Sequence, residues 1–465
     1  MATHSAVYGL ADVFTSVVNF LLIPLYTWRL STVEYGHLAL LLTFSTFTKI
    51  AFRLGLDAGF FRLYYEQDRD QDRRRLAGSV AIFAALVGAL LLALTVLLAG
   101  PLTGLLLGPA VPRWWVVLAA AEVYCGTFAF VPLNLLRVEE QPELFSAFSI
   151  GRHALNTALK VWLVMAGYGV GGVLWSDFTA TAVFALSLLP RLKGRAALAF
   201  APGLLREALA FGLPKVPHGL LVQVQNLADR KILDLFAGRA EMGTYHVAYN
   251  FGQGVKFATA AFEPAWGPFV YAEIRKEGAP RTLARVASPA FAAFLGAGLG
   301  VAVLGRELMV LMTAPKFHGA APVIPVVALA YVLHGVFLLT SVGIGIARQA
   351  RYYPMVTAAA AGTNVVANLL LIPRWGMMGA AWATVFSYAV MAGYGFLLSR
   401  RLYPIPFEGA RWARLTAAAL LVLALSALAP AALVPALVVK GALLLGFAAV
   451  ALLELRHVLQ EPVAA

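Results

Sequence analysis

The sequence predicts an all-α, polytopic membrane protein of about 14 transmembrane helices, arranged as two pseudo-symmetric six-helix lobes plus two C-terminal helices. Three observations predict it. Of the 465 residues, 61% are hydrophobic and only 13% charged, against roughly 45–50% and about 25% in soluble domains. The apolar residues come in runs near the ~20 residues that a helix needs to cross ~30 Å of hydrocarbon. The first 12 runs also repeat themselves with a fixed offset. A transmembrane β-barrel would instead alternate over ~10-residue segments, and no such segments are present.

Taken in order, the spans are expected at 7–28, 36–61, 77–99, 114–136, 144–166, 170–190, 208–236, 244–271, 286–304, 322–346, 354–373, 376–398, 412–429 and 434–455. Only "RW" separates spans 11 and 12. Pro214 and Pro217 in "GLPKVPHGL" are expected to break span 7 near its cytoplasmic end, because proline removes a helix donor and its ring clashes with the preceding turn. No A-x-A-like cleavage site ends the first apolar run.

Basic residues orient the threading. Loops 62–76, 137–143, 191–207, 272–285, 347–353 and 399–411 and the C-terminal tail carry about 20 Lys/Arg. The opposite loops carry about seven, among them Arg29, Arg113, Arg239, Arg306 and Lys316. Lys/Arg excess marks the cytoplasmic side, so both termini are expected there. The net charge of +13 is partly this bias. With no soluble domain to carry a basic face, nucleic acid is not an expected partner; the bilayer is.

A shift of 207 residues aligns the chain with itself. Glu34 and Gly36 fall on Glu241 and Gly243, Lys49 on Lys256, Tyr64 on Tyr271 and Tyr124 on Tyr331. Gly169, Gly172 and Trp175 fall on Gly376, Gly379 and Trp382. An even number of spans per repeat means both halves enter from the same side, a parallel-repeat transporter architecture. The expected lobes are residues 1–200 and 201–405, followed by two accessory helices in 406–465 with no counterpart in the repeat.

Charge inside hydrocarbon is costly and normally faces a bundle interior or a wet cavity. Span 1 carries Asp12, Ser16 and Asn19; span 2, Thr46, Lys49, Arg53 and Asp57; span 7, Gln223, Asn226 and Arg230; span 8, Gln253, Lys256 and Glu263. Steps of three, four and seven keep most of each set on one helix face. Under the same offset Asn19 meets Asn226, and Lys49 meets Lys256. Arg53 and Asp57, at i and i+4, are suited to a mutual ion pair. Glu122, Arg152, Lys160, Asp177 and His334 are unduplicated and are expected in interhelical packing.

Other chemistry is missing from the sequence. It contains no G-x-x-x-x-G-K-[ST] and no H-E-x-x-H. Its single cysteine, Cys125, excludes disulfides and cysteine metal clusters. No loop exceeds about 20 residues. An enzyme and a cofactor are therefore not expected.

The stretches "STVEYGHLALL", "RLGLDAGFFRLYYE", "ADRKIL" with "AEMGTYHVAY", and "WGMMGAAWAT" resemble the polysaccharide transporter branch, the Wzx-like O-antigen and oligosaccharide flippases, of the multidrug/oligosaccharidyl-lipid/polysaccharide exporter superfamily. The likeness runs over essentially the whole chain. It implies two lobes around a cationic cavity, alternating access, and transport of an undecaprenyl-pyrophosphate-linked oligosaccharide across the bacterial cytoplasmic membrane. Polysaccharide polymerase and glycosyltransferases are the partners it implies. On that reading Lys49, Lys256, Arg53, Arg230, Asn19 and Asn226 are the expected cargo ligands. Asp57, Glu263, Asp229 and Asp12 are the candidates for ion coupling. The competing readings are a lipid II flippase, a multidrug antiporter and a non-transporting component of envelope polysaccharide synthesis. Duplicated lysines rather than acids weigh against the antiporter.

Overall fold

The computed structural model describes residues 18, 20–197, 199–430 and 432–460, and every described element is a helix or 3-10 turn. Asp12, Ser16 and Asn19 lie outside the described residues. The chain divides at Gln223/Val224 into two compact units, 1–223 and 224–465, each taken separately below. Among the described residues nine helices are long and apolar enough to cross a membrane.

In the first unit a short α1 (Ile23–Arg29) leads to α2 (Thr32–Arg53). A reciprocal cap starts α2. Ser31 Oγ accepts the Glu34 backbone N–H at 3.1 Å, while Glu34 Oε2 accepts that of Ser31 at 2.8 Å. Two donors that have no partner within a helix are thereby satisfied. The second span, expected as one helix over 36–61, is broken. Leu54 (φ +47°) and Gly55 (φ +74°) are left-handed, and α3 (Leu56–Glu66) starts afresh.

The cause of the break lies elsewhere in the unit. After α4 (Asp70–Leu97), α5 (Ala99–Leu106), α6 (Trp114–Val138), α7 (Pro142–Met165) and α8 (Gly169–Leu188), the chain returns as α9 (Pro202–Gly212) and lies on α3. A Cβ on Gly55 would sit 2.2 Å from the Gly212 carbonyl oxygen, and one on Gly59 would sit 2.2 Å from that of Ala208. Two glycines four apart are the pattern that lets membrane helices touch backbone to backbone. Leu56, Phe60, Leu76, Val80, Phe130 and Leu205 fill the core around this contact. The segment before α9 is fastened too: Ala197 N–H donates to Arg74 O at 2.9 Å, and Ala201 N–H to Ser79 Oγ at 2.8 Å. A 3-10 turn over Leu213–Lys215 then hands on to α10 (Val216–Phe236), the break that Pro214 and Pro217 predict.

The second unit continues with α11 (Arg239–Gly252), a 3-10 turn at Gln253–Val255, α12 (Lys256–Glu273), α13 (Ala279–Met312), α14 (Val323–Thr340), α15 (Val342–Ile346) and α16 (Tyr352–Leu402). Gly376 (φ 52°, ψ −131°) divides α16 into two helices, at the "RW" junction expected between spans 11 and 12. The final helices, α17 (Gly409–Ser426) and α18 (Leu433–Gln460), are integral to this unit. Their Leu415, Val422, Phe447 and Leu455 join Phe291, Phe294 and Leu299 of α13 in one core. Trp412 stacks on Phe291 with ring centroids 4.3 Å apart. Lys440 Nζ meets Glu307 Oε1 at 2.7 Å, with both residues buried.

Candidate transport site

In the first unit the duplicated lysine, Lys49, lies on α2 and is exposed. The charges around it are Arg53, Glu122, Arg152 and Asp57, two cations and two anions that already balance. Arg53 Nη1 and Asp57 Oδ1 lie 3.0 Å apart, half-open, with the guanidinium 5.4 Å from the Phe130 ring centre. This pair spans the break at Leu54–Gly55, so it ties the end of α2 to the start of α3.

The unduplicated polar residues of this unit form interhelical bridges. Thr181 Oγ1 donates to Glu122 Oε1 at 2.9 Å and accepts from Arg152 Nη2 at 3.1 Å. Lys160 Nζ and Asn156 Nδ2 both donate to Asp177 Oδ1 at 2.8 Å. Helices α6, α7 and α8 are thus cross-linked by charge-assisted hydrogen bonds, the strong kind in a low-dielectric interior.

In the second unit Asp229 and Arg230 of α10 form a closed cluster. Asp229 Oδ1 accepts from Arg230 Nη1 at 2.9 Å, and Asp229 Oδ2 accepts from Tyr245 Oη at 2.6 Å. The guanidinium also donates to the Asn226 carbonyl at 2.5 Å and to His246 Nδ1 at 3.2 Å, and lies 4.8 Å from the Tyr249 ring centre. Tyr388 Oη donates to Asn226 Oδ1 at 3.0 Å, and the hydroxyls of Tyr249 and Tyr331 share a hydrogen bond of 2.9 Å. Asp229 is 1% exposed and Arg230 4%. A buried ion pair is tolerable only with such complete satisfaction, and this one leaves no net charge.

Lys256 differs. It is exposed, donates to Gln253 Oε1 at 3.2 Å and lies 4.7 Å above the Tyr331 ring. Among the described residues no carboxylate pairs with Lys49 or Lys256. An ammonium carries three donors, so both lysines keep donors free for an anion. Glu263 of α12 is exposed, with no ion pair among the described residues. The structure thus places Asn226, Asp229 and Arg230 in one cluster, pairs Arg53 with Asp57, and gives the two lysines and Glu263 no ion pair among the described residues.

Tyr245, His246, Tyr249 and Tyr388 escape the sequence reading. The one signal is "TYHVAYN", whose tyrosines stand four apart on one helix face.

The repeat has a structural counterpart. Glu241 Oε1 accepts the Met377 N–H at 2.8 Å and would lie 2.3 Å from a Cβ on Gly376. In the first unit Glu34 Oε1 would lie 3.3 Å from a Cβ on Gly169, itself at φ +55°. The two pairs match across the 207-residue offset: in each unit the same glutamate lies against a positive-φ glycine at a helix start, and in the second unit it also accepts a backbone N–H there.

Residues 2–261 match the sequence pattern of the polysaccharide biosynthesis protein family. The chain belongs to that family. This polysaccharide biosynthesis family member shares its fold with the lipid II flippase MurJ in an inward closed conformation, at TM-score 0.78 and 13% identity over 98% of this chain and 100% of that one. It is also similar to an inward-facing multidrug resistance MATE transporter of the MOP superfamily, at TM-score 0.58 and 14% identity over 83% and 94% of the two chains. The Vibrio cholerae MATE transporter VcmN, in its bent form, aligns at TM-score 0.53 and 14% identity over 86% and 98%. No curated protein matches the sequence. The family member is a multi-pass membrane protein with a flippase-type transporter fold.

Proposed function

We propose that the protein flips an undecaprenyl-pyrophosphate-linked oligosaccharide across the bacterial cytoplasmic membrane by alternating access, with both termini cytoplasmic. The observation that carries this reading is the pair of repeat-related lysines. Lys49 and Lys256 are the duplicated cations of the spans, and among the described residues neither has a carboxylate partner. A pyrophosphate must cross the hydrocarbon region, where an unneutralised anion is costly. Lys49 and Lys256 act on it as donors, supported by the carboxamides of Asn19 and Asn226. Arg53 is released to the anion only when it leaves Asp57. Arg230, held by Asp229, His246 and Tyr249, shapes the cluster rather than binding cargo. Asp57, Glu263, Asp229 and Asp12 remain the acids for ion coupling, with Glu263 the most accessible of the described three. The family match supports polysaccharide synthesis as the setting, with a polymerase and glycosyltransferases as neighbours in the process.

The test is flipping by purified protein in vesicles. Lys49→Ala or Lys256→Ala should slow it, the double variant should abolish it, and Lys→Arg should retain part of it, all at unchanged protein level. Parental flipping by the double variant would remove the lysines from the mechanism. A second reading, lipid II as cargo, is favoured by the end-to-end fold match to MurJ. Rescue of a strain depleted of its lipid II flippase would select it over a saccharide repeat unit.

A further inference from the structure

Helix α9 has two apolar faces, and only one is used by the fold. Leu205, Ala208 and Gly212 are buried against α3 and α4. A groove of about 620 Å³ also runs along the helix, bordered by the buried Leu205 and lined further by Phe200, Pro202, Leu209, Leu213 and Pro214 with a single charge, Arg206. Phe200 is 52% exposed and Leu213 49%. A helix facing water would carry polar residues here. An apolar outer face interrupted by a cation is instead the composition of a helix lying in a membrane interface. Arg206 is exposed and has no ion pair among the described residues. Glu207 follows it about 100° further round the helix and does not line the groove. Arg191 and Lys193 precede the helix and Lys215 follows it, its Nζ 3.9 Å from the Phe211 ring centre.

From these features we infer that the groove is a binding site for an anionic glycerophospholipid of the cytoplasmic leaflet. One acyl chain lies between Phe200 and Leu213, and the phosphate sits at Arg206. Apolar lining suits the chain, because moving methylenes out of water into it is favourable. The unpaired guanidinium supplies the headgroup preference, since a cation near an anionic surface contributes about 1 kcal/mol. The occupant touches Leu213 and Pro214, the start of the 3-10 turn between α9 and α10. Lipid in the groove therefore braces the turn between α9 and α10.

The experiment uses full-length protein in neutral-lipid nanodiscs with photoactivatable phosphatidylglycerol or phosphatidylcholine of the same acyl chain, followed by mapping of the labelled peptide. Phosphatidylglycerol should label residues 200–214 about fivefold more than phosphatidylcholine, the ratio that ~1 kcal/mol gives. Arg206→Gln should bring the ratio to about one. Ala210→Trp, at an exposed position that itself lines the groove, should fill it and remove the labelling while leaving the thermal midpoint unchanged. No label within 200–214, or equal label from both lipids that Arg206→Gln does not alter, overturns the site. Label competed away only by a polyprenyl pyrophosphate assigns the groove to the cargo and overturns the phospholipid reading.

Discussion

Glu241 and Met377 are 136 residues apart, yet the Glu241 carboxylate accepts the Met377 backbone N–H at 2.8 Å. That bond satisfies one of the orphan donors where the chain restarts as a helix after Gly376. Gly376→Ala should be costly on two counts. A positive-φ backbone of this kind carries roughly 1–3 kcal/mol of strain for a residue with a side chain, and the new methyl would lie 2.3 Å from the Glu241 oxygen. Gly169→Ala carries the strain but leaves 3.3 Å. Thermal unfolding in detergent should therefore rank Gly376→Ala below Gly169→Ala. Glu241→Ala, which strands the Met377 donor, should cost about 1–3 kcal/mol.

The contact of α3 with α9 predicts a sharp asymmetry among glycines. In Gly212→Ala the new Cβ would meet the Gly55 carbonyl oxygen at 2.2 Å, and backbone cannot rotate away. Gly203 of the same helix has nothing within 4 Å. Size-exclusion profiles should show Gly212→Ala aggregated or poorly expressed and Gly203→Ala like the parent. Equal behaviour would mean the helices separate freely.

Lys440 and Glu307 should behave as a buried pair. Lys440→Met leaves a buried carboxylate alone, which costs about 3–5 kcal/mol. The double variant Lys440→Met/Glu307→Gln removes both charges and should recover most of the loss. A double-mutant cycle of unfolding midpoints measures the coupling. Additive losses would show that the pair holds no energy.

Topology follows from the lysine and arginine bias. In a Cys125→Ser background, a cysteine replacing Lys316 should react with an impermeant maleimide added outside intact cells, and one replacing Lys193 should not. The reverse pattern would invert the threading.

Much of this fold is legible in the sequence because apolar runs and turn residues are local signals. The repeat is legible because Glu, Lys, Tyr and Trp rarely coincide by chance at one offset in a chain rich in Ala and Leu. The break at Leu54–Gly55 is not legible, since "FRLGLDAG" reads as apolar helix with a tolerated glycine. Its cause is Gly212, far along the chain. The docking of α17 and α18 is hidden for the same reason: Lys440 and Glu307 are 133 residues apart, and no spacing rule joins them. At the candidate site the two lysines emerge from the repeat. The tyrosine cage does not, because tyrosine in a membrane helix ordinarily reads as an interface residue.

A glutamate set against a positive-φ glycine occurs in each unit, at 34/169 and at 241/376. A side chain added at either glycine meets a glutamate oxygen and a positive-φ backbone together. Scored one substitution at a time, the chain should show losses at two glycines 207 positions apart, unequal in depth because the glutamate oxygen stands nearer in the second unit, an imprint of duplication read in tolerance rather than in sequence.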